Sequence, residues 1–218
     1  MATAELKTST IAPKLPTTPF KNEPFTDFTN PDVARAMRNA LAKVHSELGR
    51  EYDLIIGGEL VKTEGKIKSV NPAKPSEIVG IHQKAGPEHV EPAMQAALRA
   101  FETWRNVSVE ERVSVVMRAS DIIRRQKLEF CAWLVYEVGK NWAEADADIA
   151  ETIDFLEFYA REALRLSKAE TPVQLPGEHD QLQYIPLGVG AVIPPWNFPC
   201  AIMAGMTTAA FVTGTPSF

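Results

Sequence analysis

The chain has 218 residues, 45% hydrophobic and 23% charged, which is enough for one sizeable core and ordinary for a globular protein. A net charge of −5 with no Lys/Arg stripe argues against nucleic-acid binding. Two cysteines, Cys131 and Cys200, give no disulfide framework and no metal-ligand spacing, which suits a reducing cytosol.

Residues 1 to about 27 are rich in Thr and Pro and lack the continuous apolar core of a signal peptide. An irregular start is expected. A helix is predicted from Asn30-Pro31, with Asn as cap and Pro at the first position, running to Gly49 on Val33, Met37, Leu41 and Val44. Leu54 to Val61 reads as a hairpin around Gly57-Gly58, which take the positive φ of a type I′ turn. Extended segments near 66–70 and 78–81 follow, separated by Asn71-Pro72.

Three helical segments come next. The first carries Val90, Met94, Ala97, Phe101 and Trp104 on one face. The second opens on a Ser108–Glu111 capping box, and the third runs from about Leu128 to Gly139. A long helix capped by Asn141 buries Ile149, Ile153, Leu156, Ala160 and Ala163, with Glu144, Asp148 and Glu151 read as its opposite, acidic side. Residues 171 to 186 read as two short extended pieces around the polar turn at 177–180, too slight to pack alone.

Val189 to Ile193 looks like a buried strand, ended by Pro194 and Pro195, with a rigid Trp196-Asn197-Phe198 loop and a helix after Pro199. Ala191 to Val212 is almost free of charge, but three prolines and Asn197 argue against a membrane span. The loop after such a strand is where open α/β sheets bind ligands.

The run Ile193-Pro-Pro-Trp-Asn-Phe-Pro199 resembles the most recognisable N-terminal motif of the aldehyde dehydrogenase superfamily. Lys21 to Phe28, Ser69 to Ala73 and Ala143 to Phe155 resemble its 1-pyrroline-5-carboxylate (glutamate semialdehyde) dehydrogenase branch. The resemblance covers about residues 20 to 214. It implies an α/β fold: the N-terminal part of an aldehyde dehydrogenase, with helices, a Rossmann-like parallel strand and a projecting β-hairpin arm that reaches a partner subunit. The expected organisation is an N-terminal extension and helix (1–50), strands and helices of the NAD-binding domain (51–170), the hairpin (171–187) and the start of the Rossmann-like sheet (188–218).

Function follows from the same resemblance: NAD-dependent oxidation of a small aldehyde, glutamate semialdehyde, by a cytoplasmic homo-oligomer. Asn197 would donate to the oxyanion formed when a thiolate attacks the aldehyde. From spacing alone Asn197 reads better as a turn residue capping its own backbone; with the full motif matched, the functional reading wins. Ile193, Pro194, Pro195 and Trp196 would line the cofactor channel, and Phe198 would pack on the aliphatic part of the substrate. Both positions also suit plain core packing. Glu151 would face the substrate's α-ammonium, although an acid on an acidic helix face is more often merely solvated. Cys200 reads as an inert buried thiol, since the family's nucleophile lies in a separate downstream segment, and four dispersed histidines show no metal cluster.

After Gly214 the sequence leaves the family pattern with Thr215-Pro-Ser-Phe218, and the family's ribose lysine, pyrophosphate glycines, general-base Glu and nucleophilic Cys are missing. The expectation is a truncated, inactive N-terminal portion. The alternatives are a non-catalytic oligomerisation module, a non-functional truncation product, or another NAD(P)-dependent aldehyde dehydrogenase.

Overall fold

The computed structural model describes residues 14–168 and 172–218. The irregular start expected at residues 1–13, and position 171 at the head of the hairpin, lie outside the described residues.

Helix termini form where the local chemistry demands them. In α1 (Pro31–His45) the Asn30 side chain accepts from the Asp32 amide at 2.9 Å, and proline follows the cap. Ser108 accepts from the Glu111 amide at the head of α3 (Val109–Arg125), and Asn141 from the Glu144 amide at the head of α5 (Trp142–Leu166). Between them, α4 (Lys127–Val138) ends on Gly139 at φ 68°, where a Cβ would meet the Pro72 ring at 3.0 Å. Ahead of these, α2 (Val90–Trp104) follows a single 3₁₀ turn at Pro87–His89.

The strands make two small sheets. β2 (Leu54–Ile56) and β3 (Glu59–Val61) pair antiparallel around Gly57 (φ 62°) and Gly58 (φ 89°), the positive pair a type I′ turn needs. β4 (Lys66–Val70) runs antiparallel to β5 (Ile78–Gln83). β1 (Arg50–Tyr52) joins β5 in parallel, giving the order β1-β5-β4. Its polar residues give no strand pattern, so only the non-local pairing reveals it.

The core is organised by α5. Its N-terminal half, with Ala145, Ile149 and Ile153, packs on Met37 and Val44 of α1 and on Cys131, Ala132 and Leu134 of α4. Its C-terminal half, with Leu156, Ala160 and Ala163, packs on Val113, Val116 and Met117 of α3 and on Val212 of α6 (Ala201–Val212). Each large apolar side chain buried here contributes about 1.5–3 kcal/mol, so one helix of 25 residues ties α3, α4 and α6 together, with α1 joined chiefly through α4.

Two expectations need amendment. Asp148 is not on a solvated acidic side; it is fully buried, as is Asp146, while Glu144 and Glu151 are exposed. Within residues 172–187 Leu182 takes part in an isolated β-bridge. The turn there centres on Pro176-Gly177, with Gly177 at φ 86° and the Glu178 amide donating to Leu175 O, and the Gln174 side chain bridges both backbone groups of Asp180. Residues 189–193 are extended but, among the described residues, form one parallel bridge, Gly190 to Ser217. Gly190 and Val192 donate to Pro216 O and Phe218 O at 2.9 Å.

Candidate functional site

The segment at residues 20–28 has no regular structure of its own, so its polar groups must find partners elsewhere. It is laced to the helices instead. Asp154 accepts from the Asn22 side chain and the Glu23 amide, both at 2.7 Å. Asp146 accepts from the Thr26 amide and hydroxyl, and the nearly buried Lys127 bridges Asp146, at 2.9 Å, and Pro24 O. Glu23 takes Arg124 Nε at 2.9 Å, and Phe20 meets Phe158 edge-on.

Laid across α5 in this way, the segment leaves a cavity of about 780 Å³ between itself and the helix. Its far wall is Glu151, Asp154, Phe155, Phe158 and Tyr159 of α5, closed at one end by Phe198. Two residues singled out from sequence, Glu151 and Phe198, are 47 positions apart and meet here. Asp154 is occupied by the strap, which leaves Glu151 as the exposed carboxylate on this wall. Aromatic rings beside one free carboxylate suit a small ligand with an aliphatic body and a cationic end.

Asn197 stands directly before Phe198 but does not line the cavity; it is exposed, as are Ile193 at 82% and Trp196 at 83%, with Pro194 half-buried. The amide of Asn197 is therefore free to donate, and Ile193–Trp196 present an open face at the end of the extended segment. The first amide of the following helix, Ala201, points at Asp148 Oδ1 (2.8 Å) and not at a phosphate position.

Sequence reading missed what holds this loop. Lys140, between the Gly139 and Asn141 caps, is almost buried; its Nζ lies 2.7 Å from Asp148 Oδ2 and 4.0 Å from the centroid of the Phe198 ring. A signal existed, because Asp148 falls on the stripe of Ala145 and Thr152, one turn away on either side.

Other titratable groups fit supporting roles. Burial pushes the Cys131 thiol up to about 12, and burial likewise raises that of half-buried Cys200. Neither is poised as a thiolate. Burial opposes ionisation of Glu157, but hydrogen bonds from Arg124 at 2.5 Å and Arg161 at 2.9 Å outweigh it and hold its carboxyl below the ordinary range. Among the described residues no group of His, Cys, Asp and Glu is placed to hold a metal ion, and no helix is long and apolar enough to cross a membrane.

Comparison with known proteins places these features in a family. The aldehyde dehydrogenase family model matches residues 60–216. A 1-pyrroline-5-carboxylate dehydrogenase of Geobacillus thermodenitrificans is 57% identical over 196 residues, and one of Bacillus pumilus 56% over 198. The matches cover 90% and 91% of this chain and 38% of each relative, so the chain spans well under half their length. A structure of 1-pyrroline-5-carboxylate dehydrogenase from Thermus with bound NAD superposes with a TM-score of 0.88 at 48% identity, over 92% of this chain and 39% of that one. The family match over most of the chain, with the same fold in its relatives, shows that the chain belongs to the aldehyde dehydrogenase family.

Proposed function

We propose that this chain supplies the substrate wall and the oxyanion donor of an NAD-dependent dehydrogenase that oxidises L-glutamate γ-semialdehyde to glutamate. The observation that carries the reading is the shared cavity: Glu151 and Phe198 converge on one aromatic-lined space next to Asn197. In this reading Glu151 pairs with the substrate's α-ammonium and the Phe198 ring packs on its methylenes. The Asn197 amide donates to the aldehyde oxygen as a nucleophile adds and the oxygen becomes an anion. Ile193, Pro194, Pro195 and Trp196 would hold NAD, which would supply the hydride acceptor. Neither cysteine of this chain serves as nucleophile, since burial keeps both thiols protonated. Two thiols without a disulfide fit a cytoplasmic setting.

A second reading, association with another subunit through residues 172–187, is supported by the exposure of Val173, Ile185 and Leu187. The two readings are compatible.

The test is a chimera joining residues 1–214 to the part of the Geobacillus relative that this chain does not match, assayed for NAD reduction. Turnover of glutamate semialdehyde is expected. Asn197→Ala should lower the rate on the order of 10²–10³-fold for any aldehyde. Glu151→Ala should raise KM for the semialdehyde while leaving an uncharged aliphatic aldehyde unaffected. A chimera with Asn197→Ala that turns over at the unaltered rate removes Asn197 from the mechanism.

A further inference from the structure

The loop carrying Asn197 and Phe198 is exposed, so its geometry must be imposed from below. Two contacts do this, and both run through one buried ion pair. Asp148 accepts the Ala201 amide on Oδ1 and Lys140 Nζ on Oδ2. Lys140 in turn lies over the Phe198 ring at 4.0 Å. The carboxylate thus fixes the start of α6, and the ammonium it holds fixes the last aromatic residue before it. Lys140 itself has little freedom, because the left-handed Gly139 ends α4 immediately before it and the Asn141 cap begins α5 immediately after.

We infer that Lys140 and Asp148 are positioning residues, a buried charge pair whose role is to hold the Pro194–Pro199 loop in register with the cavity wall bearing Glu151. The inference rests on the proposed function only for the importance of Asn197 and Phe198. Energetics favour positioning over plain stabilisation. With side chains 11% and 0% exposed, both ions have lost most of their water. Buried pairs of this kind are often replaceable by apolar residues without loss of stability, whereas removal of one partner strands the other.

The experiment uses the full chain and needs neither aldehyde nor NAD, so its outcome is independent of the chimera assay. Amide exchange at Ala201 and Ile202 is compared with that at Ile149 and Ile153 in the core, alongside thermal melting. Lys140→Met should speed exchange at Ala201 and Ile202 on the order of tenfold relative to the core, in line with losing one charged hydrogen bond. Lys140→Arg, which keeps charge, hydrogen bond and ring contact, should return exchange close to that of the unaltered chain. If Lys140→Met does not fold, the double variant Lys140→Met/Asp148→Leu gives the answer. It should melt as the unaltered chain does yet leave Ala201 and Ile202 unprotected. Unchanged exchange at Ala201 and Ile202 in Lys140→Met, or full protection in the double variant, would overturn the assignment.

Discussion

Two parts of this molecule both carry many large apolar residues and meet opposite fates. Along α5 the large side chains are sealed: Ile149 is 0% exposed, Ile153 1% and Leu156 2%. Between Val173 and Trp196 they stand in solvent, with Leu187 92% and Ile185 72% exposed. Periodicity explains the contrast. α5 repeats apolar residues every three or four positions and meets the one-sided α1 and α3 and the more uniformly apolar α4 and α6. The later stretch has prolines at 172, 176, 186, 194 and 195 and no such repeat, so it cannot gather a core from its own residues. The first part is held by packing. The second is held at its borders, by the Lys140–Asp148 pair and by the short parallel pairing with residues 216–218.

The largest test of that contrast is truncation in each part. Leu156→Ala should cost about 2–5 kcal/mol in chemical denaturation, whereas Leu187→Ala should stay within about 0.5 kcal/mol. Equal losses would end the distinction. Next in size is Gly139→Ala, which combines a left-handed φ with a Cβ 3.0 Å from Pro72 Cγ; a loss of about 1–2 kcal/mol is expected in the same assay. Ser108→Ala should cost about 1 kcal/mol through the α3 cap.

Acid should loosen the strap across α5. Glu157 has its carboxyl depressed by Arg124 and Arg161, so its contribution is complete above the ordinary glutamate value of 4.5 and is lost as pH falls through the lower folded value. Arg124 also holds Glu23 of the strap. A pH titration of backbone amide signals at 22–26 should therefore show them moving below about pH 4.5 in the unaltered chain, and at higher pH in Arg124→Met. Signals that ignore the substitution would detach the strap from this network.

Much of the first part was legible because its signals are local. Asn30, Ser108, Asn141, Gly139 and the Gly57-Gly58 pair act within a few residues of themselves, and each stands where its chemistry placed it. The Ile193–Pro199 motif located the loop for the same reason. What escaped was non-local. Asp148 reads as solvated until Ala201, 53 positions on, supplies the amide it accepts. β1 exists only because β5 lies beside it. Residues 20–26 show no periodicity that would betray a cavity wall; Asp146 and Asp154 bring them into place. The extended 189–193 segment finds just one bridge, since its parallel partner among the described residues is the three-residue stretch 216–218.

Residues 173–196 present uncovered apolar surface, while the helices bury theirs against one another. Light scattering after size exclusion, over a range of protein concentrations, tests this most directly. The unaltered chain should rise in mass with concentration, and the triple variant Ile185→Ser/Leu187→Ser/Trp196→Ser should run nearer the monomer with the same melting temperature. A sharp monomer at every concentration for the unaltered chain would show that this surface is covered within one chain.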